Sequence, residues 1–284
     1  MTSTVAIINW NSGGLLKSCV ESLLATAPDV KLLVVDNNSS DGSVAVVRQL
    51  GDRIQSIDNP GNRGFAGGVN DALSHSSSTP YILILNPDVR ALPGSVQMLE
   101  DLMENHPRAG AIGGFVGEKY LPRKFPTPKS LALENLGLGS GTMGSDPSAP
   151  PSSIRRVDQV AAAALMIRRE AWQEVGRFDE QFYPAWYEDV DFCWKLKRGG
   201  WEVYFAPQAE FLHEGGYSTA ALGSQAFPYS YYRNQARYAQ KWFGATGSFI
   251  VRASIIAGMI GRMIGRPASA SAYGRVLIGA LFGW

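Results

Sequence analysis

The sequence predicts an α/β fold, in which helices flank a central sheet, followed by a helical extension at the C-terminus. Short apolar runs without polar alternation recur through the first half of the chain, which is typical of central strands covered on both faces. Apolar residues at helical spacing follow several of these runs. Because the chain has 284 residues and 45% hydrophobic content, it is long enough to bury a full core.

Composition counts against some classes of protein. The formal net charge is +1 at pH 7, which argues against nucleic-acid binding driven by bulk electrostatics. The two cysteines, Cys19 and Cys193, lie far apart within apolar patterns. We therefore expect reduced core thiols in a cytosolic protein, without a zinc site or a disulfide.

No targeting or clearly membrane-spanning segment is predicted. Met1–Thr4 contain no basic residue and the apolar run behind them is short, so we expect a strand there and not a signal peptide. No stretch reaches the roughly 18 consecutive apolar residues that a bilayer span needs. The nearest stretch, 248–265, is interrupted by Arg252 and Arg262.

Two buried strands are predicted near the N-terminus, Val5–Trp10 and Lys31–Val35. Ligands of open α/β sheets bind beyond the carboxyl ends of strands, so the polar residues after both strands should face one crevice. There Trp10 can offer an aromatic face to a base, and Asp36 or Asn37 can hydrogen-bond a base edge or a ribose. Clusters of Asn and Ser are also ordinary loop chemistry, and from this stretch alone both interpretations stay open.

A glycine-rich segment, 59–70, leads into a predicted helix. Its four glycines, Gly67 among them, let a backbone approach a ligand closely, and the helix N-terminus beside them favours phosphate oxygens. The segment lacks the spacing and the Lys-Ser/Thr pair of a P-loop. Glycine-rich loops alone are weak evidence of a site.

Two later residues are candidates for a metal site. Asp88 follows a third buried strand, Tyr81–Leu85, into the same crevice, where a carboxylate beside a diphosphate can hold Mg²⁺ or Mn²⁺. His213 closes another predicted strand and can bind a metal through its neutral imidazole. The alternatives are an ordinary Pro-Asp turn and a structural histidine.

The aromatic stretch Trp186–Trp194 contains three carboxylates, which fall within four consecutive positions: Glu188, Asp189 and Asp191. At least one of them should lie in a partly desolvated place, which is costly unless it has a use. A helix is predicted from Asp191 to the glycines at 199 and 200, and a carboxylate at its entrance can accept a proton from a substrate hydroxyl. The alternative is a plain acidic N-cap.

The sequence predicts two further regions. Periodicity fades over 119–153, where Pro, Gly and Ser dominate, and we expect a flexible loop that serves as a lid, an acceptor groove or neither. The chain is divided into a domain over 1–225 and an aromatic, basic and amphipathic helical segment over 226–284. In that segment Phe249, Ile256, Ile260 and Met263 share one helical face, and Arg252, Arg262 and Arg266 another. This pattern favours a membrane interface over packing against the domain or a partner subunit.

Together these pieces resemble the inverting GT-A glycosyltransferases of the second sequence family, and within it the rhamnosyltransferases of bacterial cell-wall and O-antigen assembly. The resemblance covers about residues 4–220 and rests on an ordered set of motifs: Trp10-Asn11, 34–43, 62–70, Leu85–Asp88, Tyr187–Phe192 and His213. It implies a Rossmann-like mixed sheet with flanking helices, a nucleotide-sugar donor, Mg²⁺ or Mn²⁺, and inversion at the anomeric carbon.

The resemblance also implies a role for each matching residue. Asp189, the second acid of the pair that it forms with Glu188, would be the catalytic base. Asp88 and His213 would bind the metal. Asn86 stands where the family has the first Asp of its metal element, so the donor diphosphate is expected to supply more ligands. The nucleotide-binding residues would be Trp10, Asn11, Asp36, Asn37, Gly67 and Asn70.

The function implied by the resemblance is transfer of L-rhamnose from dTDP-rhamnose to a lipid-linked or glycan acceptor, with GlcNAc-diphospho-polyprenol as the most specific version. The enzyme would be cytoplasmic, peripheral on the inner face of the cell membrane, and a homodimer is left open. The alternatives are transfer from UDP-galactofuranose or a UDP-hexose, a nucleotidyltransferase, and a non-catalytic carbohydrate-binding scaffold. Residues 9–16 contain no Lys or Arg, which argues against a nucleotidyltransferase with a basic N-terminal loop.

Overall fold

The computed structural model describes residues 3–51, 53–76, 78–139, 153–214, 217–265 and 270–284. For 217–225 it describes the backbone only. The strands in these ranges are β1 (Ser3–Asn9), β2 (Lys31–Asp36), β3 (Ile54–Asp58), β4 (Tyr81–Leu85), β5 (Val89–Ala91), β6 (Ala109–Phe115), β7 (Arg155–Val157), β8 (Ala164–Arg168) and β9 (Glu202–His213).

The α-helices of the same ranges alternate with these strands and then end the chain. They are α1 (Gly14–Thr26), α2 (Ser43–Arg48), α3 (Gly64–His75), α4 (Ser95–Asn105), α5 (Pro128–Asn135), α6 (Arg169–Val175), α7 (Glu188–Arg198), α8 (Tyr217–Gly265) and α9 (Ala270–Phe282).

The strands form one mixed sheet in the order β3-β2-β1-β4-β8-β6-β9-β5, with β7 paired to β9 beside this path. The pairs β1-β2, β1-β4 and β2-β3 are parallel. β8 runs antiparallel to β4 and β6, and β9 runs parallel to β6 but antiparallel to β5 and β7. Every residue of β1 and of β4 is buried, which explains why their sequences lack polar alternation.

Two hydrophobic clusters cover the two faces of the sheet. On one face α1, α2 and α4 contribute buried residues such as Leu16, Val47 and Leu99. On the other face α3, α6 and α7 contribute residues such as Trp172 and Phe192. The two cysteines lie one in each cluster, fully buried and free, as the sequence predicts. Burial raises the pKa of the Cys193 thiol to about 12.

The C-terminal helices form a third cluster against the sheet domain. Buried Leu131 of α5 and the segment 182–187 meet apolar residues of α8 and α9 there. Asn135 Nδ2 donates to Gln235 Oε1 at 2.8 Å and to Ser254 Oγ at 2.9 Å. α8 begins at Tyr217, ahead of the predicted boundary between 225 and 226. The helical extension is therefore packed on the rest of the described chain, and the predicted division into two domains stays a prediction.

α5 lies within the span predicted as a flexible loop. Thr127 caps it, since Thr127 Oγ1 accepts from the Ser130 N–H at 3.1 Å while Ser130 Oγ accepts from the Thr127 N–H at 2.8 Å, and Pro128 suits the first turn. A helix this short has too few turns for periodicity to reveal it, and packing of Leu131 stabilises it. The part of the predicted loop at 140–152 lies outside the described residues.

The predicted basic face of the C-terminal segment is wrong for its two arginines that the structure describes, Arg252 and Arg262. Arg252 donates through Nε and Nη2 to the carbonyl oxygen of Ala280 at 3.0 and 2.7 Å, and Arg262 Nη1 donates to that of Asn135 at 2.8 Å. Both carbonyls lie at helix C-terminal ends, where cations satisfy unpaired acceptors. Arg266 lies outside the described residues. The two arginines bind the protein and do not form a free basic face.

One stretch of the described chain, Ala226–Gly265 in α8, is long and apolar enough to cross a membrane, judged by length and composition alone. Core helices of soluble proteins meet the same criterion, so the finding is weak. The helical path is also interrupted by Gly244, whose φ of +65° a right-handed helix does not use.

Candidate active site

The carboxyl ends of β1, β2 and β4 lie at one edge of the sheet. In the register of the parallel pairs Asn9 lies beside Asp36, and Ile7 lies beside Leu85. The loops that follow these three strands therefore border one crevice, as the sequence predicts.

Asn9 organises the first side of the crevice. Its fully buried side chain donates to Asp36 Oδ1 at 2.8 Å and to Ser43 Oγ at 3.0 Å, and it accepts a hydrogen bond from Ser12. Asp36 also accepts from the backbone N–H of Ser39 at 2.9 Å and from its hydroxyl at 2.6 Å. This network ties the loop after β2 to the loop after β1 and fixes the Asp36 carboxylate before any ligand binds.

Three more predicted nucleotide ligands lie on the same side. Asn11, at a φ of 49°, accepts from the backbone N–H of Ser40 at 2.7 Å. Asn37 is buried and donates to the carbonyl oxygen of Gly64 at 3.0 Å. Trp10 is half-buried directly after β1. The structure brings these residues together, and their contacts with a nucleotide stay predictions.

The glycines at the start of α3 make room for the protein itself. A Cβ at Gly64, whose φ is +70°, would lie 2.8 Å from the carbonyl oxygen of Pro184. A Cβ at Gly67 would lie 2.7 Å from Arg63 Cβ, and one at Gly68 would lie 2.6 Å from a side chain of β1. Close packing accounts for these three glycines, so the nucleotide contact assigned to Gly67 stays a prediction.

Asn70 uses its buried amide within the protein. Its Nδ2 donates to the Phe178 carbonyl oxygen at 2.9 Å and to Glu180 Oε1 at 3.0 Å, while its Oδ1 accepts from the Phe178 N–H at 2.9 Å. Arg63 donates to the same Glu180 carboxylate at 2.9 Å and to Asp71 at 2.5 Å. These bonds connect the start of α3 to the segment that leads to α7. A contact between Asn70 and a nucleotide is untested.

Asp88 and His213 are brought together by the pairing of β5 with β9, in which Val89 lies opposite His213. His213 Nε2 is 3.2 Å from Asp88 Oδ1, and the two side chains are only 4% and 3% exposed. The contact is not a hydrogen bond, because Asp88 Oδ1 lacks a hydrogen-bond partner among the described residues. The other ring nitrogen, His213 Nδ1, also lacks a partner there. Buried polar atoms without partners are unfavourable by about 1–3 kcal/mol each, which suits a site that a ligand completes.

This pair fits a divalent cation. A carboxylate oxygen and a neutral imidazole nitrogen are both common metal ligands. The described residues contain no group of three or more His, Cys, Asp or Glu side chains that could hold a metal. Asp88 and His213 would therefore need additional oxygen ligands, and a bound diphosphate can supply them.

The acidic stretch forms the first turn of α7, which begins at Glu188 and so ahead of the predicted start at Asp191. Asp189 is partly accessible. Its Oδ2 accepts from the Ala162 N–H at 3.4 Å. The next residue, Ala163, accepts through its carbonyl oxygen from the Asn86 N–H at 3.0 Å. Asp189 and the segment that carries Asp88 thus border the same short stretch before β8.

The electrostatic surroundings suit Asp189 as a base. Burial raises the pKa of its carboxyl above the ordinary value, against the lowering effect of hydrogen bonds from Val190 and Ala162 and of the charge of Arg123. A base whose pKa lies closer to neutral pH takes a proton more effectively. The N-cap of α7 is Tyr187, so capping by Asp189 does not explain its position.

Glu188 is 5% exposed, and its Oε2 has no hydrogen-bond partner among the described residues. Burial, and after it the charge of Asp189, raises the pKa of Glu188 well above its ordinary value. The Glu188 carboxyl therefore favours its neutral form, which limits its repulsion of the neighbouring Asp189.

Asp191 has a different role from the other two acids. It is fully buried, with Lys241 Nζ at 2.8 Å, Lys195 Nζ at 3.3 Å and a hydrogen bond from Trp242 Nε1 at 2.9 Å. Because all these partners are cations or donors, they satisfy the Asp191 carboxyl group, which fastens α7 to α8.

Sequence reasoning missed three residues that organise the site: Asn9, Arg63 and Glu180. Asn9 carries a readable signal, since it is the polar residue that ends an otherwise apolar strand. Arg63 and Glu180 carry none, because their pairing across the fold has no local pattern.

Comparisons with known proteins identify the family of this chain. Residues 4–150 match the model of Glycosyl transferase family 2, and residues 81–283 match that of Glycosyl transferase family group 2. The N-acetylglucosaminyl-diphospho-decaprenol L-rhamnosyltransferase of Mycobacterium tuberculosis is 28% identical over 239 residues, which cover 76% of each chain. Rhamnosyltransferase WbbL of Escherichia coli is 23% identical over 238 residues, or 78% of this chain and 87% of that one. A galactofuranosyl glycosyltransferase of Leishmania donovani is 27% identical over 186 residues, or 55% and 42%.

Solved structures give the same fold. The mannosyltransferase PcManGT of Pyrobaculum calidifontis, in complex with GDP-Man and Mn²⁺, has a TM-score of 0.62 at 12% identity and covers 99% of this chain and 86% of its own. GalNAc-T7 with UDP, GalNAc and Mn²⁺ has a TM-score of 0.67 at 13% identity and covers 90% of this chain. The present chain spans only 51% of the GalNAc-T7 chain. These likenesses confirm the predicted GT-A fold.

Proposed function

Because the chain belongs to glycosyltransferase family 2, we propose that it is an inverting rhamnosyltransferase that uses dTDP-rhamnose and a lipid-linked acceptor. Two relatives that each cover more than three quarters of this chain are named rhamnosyltransferases, and this supports the sugar. The name of the Mycobacterium tuberculosis relative supports an acceptor in which GlcNAc is joined to a polyprenol through a diphosphate.

The observation that carries this proposal is the placement of Asp189 beside the segment that holds Asp88. Asp189 takes the proton of an acceptor hydroxyl while the oxygen attacks the anomeric carbon from the face opposite the nucleotide. The new glycosidic bond forms as the bond to the nucleotide diphosphate breaks, which inverts the anomeric configuration. A divalent cation at Asp88 and His213 supplies charge neutralisation for the leaving diphosphate when it is bound.

The remaining residues of the crevice bind and orient the donor. Asp36 accepts a hydrogen bond from Asn9, the residue before the half-buried Trp10. We expect a base to stack on Trp10 while Asp36 hydrogen-bonds a ribose or a base edge. The unpartnered Asp88 Oδ1 supports binding of the diphosphate end of the donor and its cation at this residue.

A transfer assay tests the proposal. The full chain with Mn²⁺ is given dTDP-rhamnose, UDP-galactofuranose or UDP-GlcNAc, together with GlcNAc-diphospho-farnesol, and products are identified by mass spectrometry. We expect a product that carries one added deoxyhexose from dTDP-rhamnose. Product from another donor only would disprove the rhamnosyl assignment, and a lack of both transfer and donor hydrolysis would favour a scaffold.

The second candidate is transfer of galactofuranose, which the Leishmania donovani relative favours at 27% identity over 55% of this chain. The same assay separates the two, because UDP-galactofuranose adds a hexose and not a deoxyhexose.

We further propose that α8 and α9 lie on the inner membrane surface. Large apolar side chains of both helices are exposed, among them Phe249 at 74%, Ile264 at 80% and Phe282 at 84%. Exposed apolar side chains of this kind on paired helices can enter the headgroup region of one leaflet.

Liposome sedimentation tests this placement. Replacing Phe249, Ile264 and Phe282 together by Asp should abolish sedimentation of the full chain with anionic vesicles. The matched control is Val46→Asp, which adds a charge at a 43% exposed apolar residue of α2. Equal sedimentation of the triple variant and the control would place the membrane contact elsewhere.

A further inference from the structure

A groove of about 430 Å³ lies outside the crevice, between β7, the start of β9 and α7. Two acidic side chains line it, Asp158 and Glu202. Its lining also includes six basic side chains: Arg108, Arg123, Lys124, Arg155, Arg156 and Lys197. Six cations and two carboxylates leave an excess of four positive charges, whereas the whole chain has a net charge of +1.

The acids of this cationic groove are already paired. Lys197 Nζ lies 2.9 Å from Asp158 Oδ1, and Arg156 Nη1 lies 2.9 Å from Glu202 Oε1. Arg155 stacks over the Phe205 ring at 5.1 Å, and Arg108 donates to a backbone carbonyl. Within the described part of the chain, Arg108, Arg123, Lys124 and Arg155 are not held in a salt bridge. The charges of Arg108 and Arg123 do act on the nearby carboxylates of Glu202 and Asp189. Four neighbouring cations that form no salt bridge attract an anion.

One end of the cationic groove lies close to Asp189. Arg123 forms a β-bridge with Gln159, and three residues beyond Gln159 the Ala162 N–H donates to Asp189 Oδ2. Three residues of extended chain span at most about 10 Å. The charge of Arg123 also acts to lower the pKa of Asp189. Arg155 precedes Gln159 by four residues, whereas Ala162 follows it. The row of cations therefore begins near the proposed base and extends away from it.

We propose that the cationic groove binds the phosphate or diphosphate through which the acceptor sugar is joined to its carrier. This inference rests on the proposed function, in which Asp189 takes the proton of the acceptor hydroxyl. One acceptor can occupy both sites at once. Its sugar lies at Asp189, and its anionic linker lies among Arg123, Lys124 and Arg155. Guanidinium groups match phosphate oxygens in two-point hydrogen bonds, and such charge-assisted bonds are the stronger kind.

The donor diphosphate does not compete for this groove. Its place is at Asp88 and His213, where buried atoms lack partners, and Asp189 lies beside the segment that carries Asp88. An inverting displacement needs the leaving diphosphate and the attacking hydroxyl on opposite faces of the donor sugar. Two separate anion sites flanking Asp189 meet that requirement.

The experiment compares two acceptors that share one sugar. GlcNAc-diphospho-farnesol carries the anionic linker, and octyl β-GlcNAc is neutral. Lys124→Ala and Arg155→Ala should each raise KM for the anionic acceptor about 10-fold or more, the loss expected for one charge-assisted hydrogen bond. KM for the neutral acceptor should stay unchanged. Arg155→Lys should recover part of the loss, and the exposed Arg53→Ala, outside the groove, should have no effect.

In the kinetic comparison, equal effects on both acceptors or no effect on either would overturn the proposal. If the groove variants lose sedimentation with anionic vesicles but keep KM for the anionic acceptor, the groove serves lipid headgroups instead. A binding measurement separates this inference from the proposed function. With the donor site saturated by dTDP and Mn²⁺, farnesyl diphosphate should bind the wild type and bind Arg155→Ala about 10-fold more weakly, even if no transfer is ever detected; equal binding would reject the groove.

Discussion

The two sides of the crevice differ in how their buried polar groups are satisfied. On the nucleotide side Asn9, Asp36 and Asn37 all bind their neighbours. On the catalytic side buried atoms of Asp88, His213 and Glu188 have no partner among the described residues. The polar groups of the first side are satisfied within the protein, whereas the second side leaves buried atoms that a ligand could satisfy. Changes on the catalytic side should therefore reduce chemistry, and changes on the nucleotide side should reduce stability.

The largest expected effect is that of Asp189→Asn. Without a general base, the rate constant for transfer should fall by about 10²–10⁴, while donor affinity and melting temperature stay near wild type. Single-turnover transfer and calorimetric unfolding measure the two quantities. Glu188→Gln is the internal control and should be milder, because Glu188 favours its neutral form already. Near-normal transfer by Asp189→Asn would end the assignment of the base.

Asp88→Ala should have the next largest effect, on metal and diphosphate binding. Loss of one of the two proposed protein ligands should weaken Mn²⁺-dependent binding of dTDP by at least about 10-fold, with little effect on binding of thymidine. Titration calorimetry with and without Mn²⁺ measures this. Chelator should abolish transfer by the wild type, and added Mg²⁺ or Mn²⁺ should restore it. Full activity in excess chelator would contradict a metal at Asp88 and His213.

A change on the nucleotide side should act mainly through folding. Asn9→Ala leaves the buried Asp36 carboxylate without one donor and should lower the free energy of unfolding by about 1–3 kcal/mol. Urea denaturation measures it. Gln97→Ala on α4 is the matched control, because its bond to Asp101 is exposed, and we expect less than about 0.5 kcal/mol. Equal effects would show that the Asn9 network is not preorganised.

The smallest effect should come from Glu188→Gln on stability, and it should depend on pH. Folding raises the pKa of Glu188, so the folded state holds a proton that the unfolded state loses above about pH 4.3, its ordinary pKa. Stability of the wild type therefore falls as pH rises above that value. The variant should be more stable at pH 8 by about 1 kcal/mol and nearly equal at pH 4. A gain that is independent of pH would refute the buried, neutral Glu188.

The sequence predicts the crevice because the strands that border it, and the polar residues that follow them, are recognisable from short continuous stretches of the chain. Apolar runs define β1, β2 and β4, and the polar residues after them must meet once the strands are parallel. What sequence could not predict depends on contacts between distant parts of the chain. Asp191 pairs with Lys241 and Trp242 about 50 residues later, so the local residue pattern alone does not distinguish this structural acid from the other two.

Helices and glycines show the same limit. α5 is stabilised by a cap and by packing on α8, neither of which produces an amphipathic repeat. The glycines at the start of α3 predict close approach of the backbone to a ligand, but what lies against Gly64 and Gly68 is the protein itself. Local patterns indicate which residues are suited to a role, but their contacts with distant parts of the chain are known only from the fold.

The first turn of α7 also has a geometric consequence. Successive residues of an α-helix are rotated by about 100°, so Asp189 and Asp191, two positions apart, point in nearly opposite directions. The first turn of α7 therefore presents the proposed base, Asp189, on one side and Asp191, which binds α8, on the other. Inserting a single residue between them would swing Asp189 away from Ala162 while Asp191 still held its partners, so the spacing of these two acids sets the aim of the base.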